Sequence, residues 1–187
     1  MDSYIAVSTW PAPGAPAVAT EIRQLLEEAG FPTGTDSRRG YDHGVFVPFK
    51  LVYRDADVPV VQLSILASYD PAQHLAMGRA LAPMRDRNVL IVGSGMSYHN
   101  LPFFFSGSGN DQAEAFDAWL GAAVSDPEGR DTKLTAWQTA LGGVSAHPEP
   151  DHLLPLMVAA GAGMGEVGVR VFHDRVAGKP LSGFRFG

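Results

Sequence analysis

A strand–helix–strand order in the first half of the chain constrains the fold most. Residues 58–65, Val-Pro-Val-Val-Gln-Leu-Ser-Ile, form a β-branched run bounded by turn formers, which is the pattern of a buried strand. Residues 71–86 read as a helix, and Asn88 to Gly93 as a second apolar strand. Two strands joined through a helix run parallel when they share a sheet, because the crossover returns the chain to the same end. A length of 187 residues suits one domain with a sizeable core. The expectation is an α/β protein: a single domain over 1–187 with a central mixed, largely parallel sheet flanked by helices.

The remaining segments extend that pattern. Val18, Ile22, Leu25, Leu26 and Ala29 repeat at helical spacing between Pro16 and Gly30, which stops the run. Residues 110–123 and 131–141 also read as helices. Asp151 is placed to cap a helix from His152 to about Ala160, provided Pro155 falls in its first turn. Residues 167–172 and 184–186 read as closing strands. Tyr4 to Val7 is a short apolar stretch ahead of the extended Trp10-Pro11-Ala12-Pro13-Gly14.

Composition removes several classes of function. The chain has no cysteine, so disulfides, thiolate metal sites and cysteine nucleophiles are excluded. A metal would rest on His, Asp or Glu, a donor set suited to Fe²⁺, Mn²⁺ or Zn²⁺. A net charge of −6 without a basic stripe argues against nucleic acid as a partner. No apolar run approaches the roughly 20 residues of a membrane span, and Met1 to Tyr4 lacks the features of a signal peptide. A cytoplasmic location is expected. No nucleophile elbow, zinc-protease helix or Walker loop occurs.

Six histidines remain as carriers of chemistry. Imidazole binds divalent metals and exchanges protons near neutral pH. His43 follows the flexible Arg38-Arg39-Gly40 and reads either as a loop histidine at a site mouth or as a turn residue capping the next segment. His99 follows the second strand and the Gly93-Ser94-Gly95 loop, at the strand end where α/β sheets bind ligands. That Gly-x-Gly is only a weak sign of a phosphate cradle. His147, Glu149, Asp151 and His152 lie within six positions and could supply metal ligands, or could form an exposed proline-rich lead into a helix. His74, on an expected surface helix, and His173 read as structural or solvated.

Together these segments resemble the DOPA-dioxygenase branch of the class III extradiol ring-cleaving dioxygenases, related to the catalytic subunit of protocatechuate 4,5-dioxygenase. The resemblance rests on residues 10–14, on 42–48 running into 57–64, and on Asn88 to Gly95 with His99-Asn100-Leu101. His147-Pro148, Asp151 to Leu156 and the terminal Ser182 to Gly187 complete it. It implies opening of a catechol-type aromatic with O₂ and a non-haem divalent metal, Fe²⁺ or Zn²⁺. It places His152 at a metal ligand, His99 at an acid/base or metal-proximal position, and His43 at a substrate-contacting position. The family pattern also has two earlier histidine motifs, His-Gly-Ser-Pro-like and Ser-x-His-Trp-like, that supply metal ligands. No histidine precedes His43 here. A metal on His152 and His99 would then need help from His43, Glu149 or a partner chain, and a homo-oligomer is expected. Phe103, Phe104 and Phe105 could wall a pocket for a planar ring, although a run of three cannot all face one way.

Two other readings stay open. One is a metal-independent relative using His43 and His99 for acid/base work on an aromatic or dicarbonyl compound. The other is a non-catalytic binding or partner protein.

Overall fold

Pro16 opens helix α1 (Pro16–Glu28), because a proline in the first turn gives up only an N–H that has no partner there. The computed structural model describes residues 10–187, so the apolar stretch Tyr4 to Val7 lies outside the described residues. The chain divides into two compact units, Met1–Ser64 and Ile65–Gly187.

In the first unit, Trp10 is buried and its ring lies 5.9 Å from that of Tyr41 and 5.8 Å from that of Phe49. Its indole N–H donates to the Tyr53 carbonyl at 2.8 Å, which satisfies the polar end of an otherwise apolar side chain. A second helix, α2 (His43–Val52), replaces the loop in which the sequence set His43. It carries Pro48 inside, which removes one rung of the helical ladder. Asp42, just before it, exchanges two hydrogen bonds with the Gln62 amide, at 3.1 and 2.6 Å.

The second unit starts from α3 (Pro71–Leu81). The Asp70 carboxylate caps it by accepting the Ala72 N–H at 2.8 Å. The helix tightens into a 3-10 turn over Ala82–Arg87 and stops at Asn88, whose φ of +58° suits an asparagine. Helices α4 (Leu101–Ser106), α5 (Asn110–Val124), α6 (Arg130–Thr135), α7 (Gly143–Ala146) and α8 (Leu154–Ala162) follow. The helix expected over 131–141 is broken: α6 ends at Thr135, and a 3-10 turn covers Trp137–Thr139. Phe116, Leu120, Leu134, Trp137, Leu154 and Met157 form the centre of the core. Helices α3 and α8 touch backbone to backbone. A Cβ on Gly78 would stand 2.0 Å from the Val158 carbonyl oxygen, and one on Gly161 would stand 2.1 Å from that of Leu75.

The chain closes with an antiparallel hairpin of β1 (Gly168–Val176) and β2 (Lys179–Phe186). Its two-residue turn, Ala177-Gly178, has positive φ at both positions, the geometry that matches strand twist. The expected closing strands are therefore present and longer than foreseen.

The central parallel sheet is not seen among the described residues. Residues 58–65 contribute one parallel bridge, Val60 to Gly14, and Asn88 to Gly93 joins no ladder. An extended segment becomes a strand only when a neighbouring strand accepts from its N–H groups and donates to its C=O groups, and no described strand pairs with 88–93. Leu90 and Val92 are left 74% and 50% exposed. The class is α/β, but the sheet that forms is a two-stranded antiparallel one.

Candidate active site

Glycine decides how the site is assembled. A Cβ on Gly95 would stand 2.2 Å from the His152 carbonyl oxygen, and one on Gly93 would stand 2.3 Å from that of Pro155. Only a chain without side chains at these points can press so closely on the start of α8. The Gly93-Ser94-Gly95 loop is thus a close-packing device. The Met96 N–H then donates to the His152 carbonyl at 3.0 Å.

From that contact the chain runs to His99, which is tied at two further points. Its N–H donates to the Ala146 carbonyl at 2.9 Å, and the Asn100 side-chain amide donates to the Ser145 carbonyl at 2.7 Å. Asn100 also caps α4, its side-chain oxygen accepting the Phe103 N–H at 3.2 Å. The result is a face-to-face stack of the His99 and His152 imidazoles, with centroids 3.5 Å apart and planes 13° from parallel.

Asp151 completes the group. It does not cap α8, whose N-cap is Leu153. Its Oδ1 accepts the His152 N–H at 2.9 Å and lies 3.0 Å from His152 Nδ1. Burial alone would raise the Asp151 pKa, but the His152 side chain, its N–H and the His99 charge outweigh it and hold the carboxyl below the usual range. One ligand atom from each of His99, Asp151 and His152 falls within 4.8 Å of the others. Two imidazoles and an anionic carboxylate, all partly accessible, are donor types suited to a divalent cation such as Fe²⁺, Mn²⁺ or Zn²⁺, and the near-parallel rings would have to turn for both lone pairs to meet one ion. A cavity of about 960 Å³ reaches His152 and is lined there by Gly95, Met96, Ser97, Leu153 and Leu156; His99 is not in its wall.

The other candidates separate. His43 is the first residue of α2 in the first unit. His74 is fully buried rather than on a surface: its Nε2 accepts the Leu66 N–H at 3.0 Å and its Nδ1 faces the Asp70 carbonyl at 2.7 Å, so both ring nitrogens serve structure. Glu149 is exposed. His173 lies on the hairpin beside Ser182 and 3.6 Å from the Asp117 carboxylate. The three-phenylalanine wall does not form: Phe104 is in the core, edge-on to Tyr98, while Phe105 is 86% exposed. His147, placed by one reading on an exposed proline-rich lead, is 1% exposed. The sequence marks Asp151 as a possible ligand through its adjacency to His152, but carries no local sign of its pairing with His99.

The model of the family described as the catalytic LigB subunit of aromatic ring-opening dioxygenase matches residues 1–184. The chain belongs to the LigB family. Similar LigB relatives include proteins named 4,5-DOPA dioxygenase extradiol. That of Beta vulgaris is 38% identical over 92% of this chain and 65% of the relative. That of Portulaca grandiflora is 42% identical over 82% and 58%, and that of Escherichia coli K12 is 36% identical over 84% and 59%. The chain thus spans less than two thirds of the length of these relatives. A crystal structure of an Escherichia coli K12 protein described as uncharacterized matches 98% of this chain and 77% of that one, with a TM-score of 0.85 and 32% identity.

Proposed function

We propose that this LigB chain carries part of the active site of an extradiol ring-cleaving dioxygenase, an oxidoreductase that opens a catechol-type aromatic with O₂. The observation that carries the reading is the His99–His152 stack with Asp151 against it. His152 and His99 would hold Fe²⁺ or Zn²⁺, with Asp151 either as a third donor or as the group that orients His152. Such a metal, when bound, supplies positive charge for a deprotonated catechol and a common meeting point for it and O₂.

The protein's own groups do the rest. In its orienting role, the Asp151 carboxylate 3.0 Å from His152 Nδ1 would favour a proton there and leave Nε2 as the ligating atom. His99, held by its backbone N–H on the Ala146 carbonyl, would be the base that takes a phenol proton and returns it to the product whenever its lone pair is not on the metal. Gly95 and Met96 press the wall of the cavity against His152 and shape an apolar slot beside it. His43 is assigned the substrate-contacting role that the resemblance gives it.

Two structural extensions belong to the same proposal. Residues 1–187 act as one catalytic domain, and Asn88 to Gly93 is a strand of a largely parallel central sheet, supported by its exposed Leu90 and Val92. A homo-oligomer or a partner chain covers such apolar surface, and sedimentation analysis reads this directly.

The deciding experiment loads the protein with Fe²⁺ without oxygen, adds catechol substrates, and follows O₂ uptake and ring-opened product by absorbance. Activity and bound metal should both fall at least about 100-fold in His152→Ala. His99→Ala should keep some metal while losing turnover. His43→Ala should raise KM. Stoichiometric binding of no metal, with turnover dependent on His99, would replace this reading with metal-independent acid/base chemistry.

A further inference from the structure

A buried polar ring in a core is uncommon unless its hydrogen bond matters, and His147 is such a ring. It is 1% exposed and packs edge-on against Phe116, with centroids 5.5 Å apart, and against Trp137 at 6.0 Å. Its Nε2 lies 3.0 Å from the Ser97 carbonyl. A carbonyl only accepts, so the proton sits on Nε2 and Nδ1 keeps a lone pair. That Nδ1 is buried and has no hydrogen-bond partner among the described residues. An aliphatic or phenyl side chain would fill the same apolar surroundings without stranding a nitrogen. What imidazole adds is one donor, aimed at the backbone two residues before His99.

The target is a crossing point. The Ser97 hydroxyl accepts the Ser182 N–H at 2.8 Å, which ties the same residue to strand β2. On either side, Met96 is bonded to the His152 carbonyl, and His99 and Asn100 are bonded to Ala146 and Ser145. Segments 96–100 and 145–152 are therefore laced together. Of these links, the one at the Ser97 carbonyl is made by a side chain anchored in the core of the second segment. Burial holds that ring neutral, which keeps one nitrogen proton-bearing and directional.

We propose that His147 is a positioning residue for the His99–His152 pair, fixing the Ser97 carbonyl so that the two site imidazoles stack. The proposal rests on the reading of that pair as a metal and proton-transfer site, but its geometric half stands by itself. It assigns His147 no contact with substrate or metal.

The test compares His147→Phe, which keeps the bulk and removes the donor, with His147→Gln, whose side-chain amide puts an N–H where Nε2 stood. Two readouts are taken on folded protein: the nuclear Overhauser contact between the His99 and His152 rings without metal, and Zn²⁺ affinity by calorimetry. In His147→Phe the ring–ring contact should be lost and zinc affinity should fall about 10- to 100-fold. In His147→Gln both should recover to within about threefold of wild type, on the principle that the donor rather than the ring shape is what matters. A His147→Phe protein with an intact ring contact and wild-type zinc affinity overturns the proposal. So does a folded His147→Gln protein that has lost the contact, and this arm decides the matter if the Phe variant does not fold. A wild type that shows the contact but binds no zinc sinks the metal reading and leaves the positioning role standing. A wild type without the contact sinks the positioning role.

Discussion

Acidification should weaken the fold through His147 before most carboxylates titrate. Burial is the main cause that pushes its pKa from 6.5 down to about 4; the Ser97 carbonyl pulls the other way, and the charges on His99 and His152 push further down. In the unfolded chain the ring protonates near the ordinary value. Between those two values the unfolded state binds a proton that the folded state refuses, so stability is full above about pH 6.5 and is lost as pH falls toward about 4. A shift of about two and a half units, at about 1.36 kcal/mol each, amounts to about 3 kcal/mol. That is a large share of the 5–15 kcal/mol typical of a domain. The assay is urea unfolding with chelator present, in steps from about pH 7 to about pH 4, on wild type and His147→Gln. Glutamine does not titrate, so the stability difference between the two proteins should move by about 3 kcal/mol in favour of the variant across the window. A difference that stays flat to within about 0.5 kcal/mol would refute the argument that burial keeps this ring neutral.

Other expectations follow from single contacts. Gly78→Ala drives a Cβ into the Val158 carbonyl and should destabilise by about 2 kcal/mol or more in urea unfolding, with α3 and α8 forced apart. Asp117, 5% exposed, holds the Ser182 hydroxyl at 2.5 Å and the Arg170 guanidinium at 3.2 Å. Asp117→Asn should therefore cost about 2–3 kcal/mol, less than a wholly buried pair because Arg170 is partly wet; thermal melts give the value. Zinc at about 100 times its Kd should add about 2.7 kcal/mol to wild-type stability and nothing to His152→Ala, as scanning calorimetry would show.

Local rules read well from the sequence where the signal was local. The periodicity of α1, the extent of 71–86 and the tolerance of Pro155 in the second position of α8 all follow from spacing and from what proline forbids. Helix α2 did not, because Pro48 sits inside it and its apolar residues lack a clear stripe. Residues 88–93 carry the apolar pattern of a strand, but pairing depends on a neighbour that no local pattern names, and no ladder forms there among the described residues. At the site, His99 and His152 were legible as types and through a family pattern, whereas their stacking was not. It depends on Gly95 lying against a carbonyl 57 positions later in the sequence (95 to 152). Burial of His147 was invisible for the same reason, because Ser97 and Phe116 reach it from distant parts of the sequence.

The glycine contacts between α3 and α8 have a consequence for how this protein tolerates change. His152 leads within two residues into α8, and α8 is registered by main-chain atoms. Its imidazole therefore rides on a stiff mount rather than on a cushion of aliphatic side chains. Swapping one core methyl for another should alter melting behaviour well before it alters the spacing of the two rings. Drift in the interior and adaptation at the site are thereby uncoupled, and new substrate preferences would have to come from the loops facing the cavity.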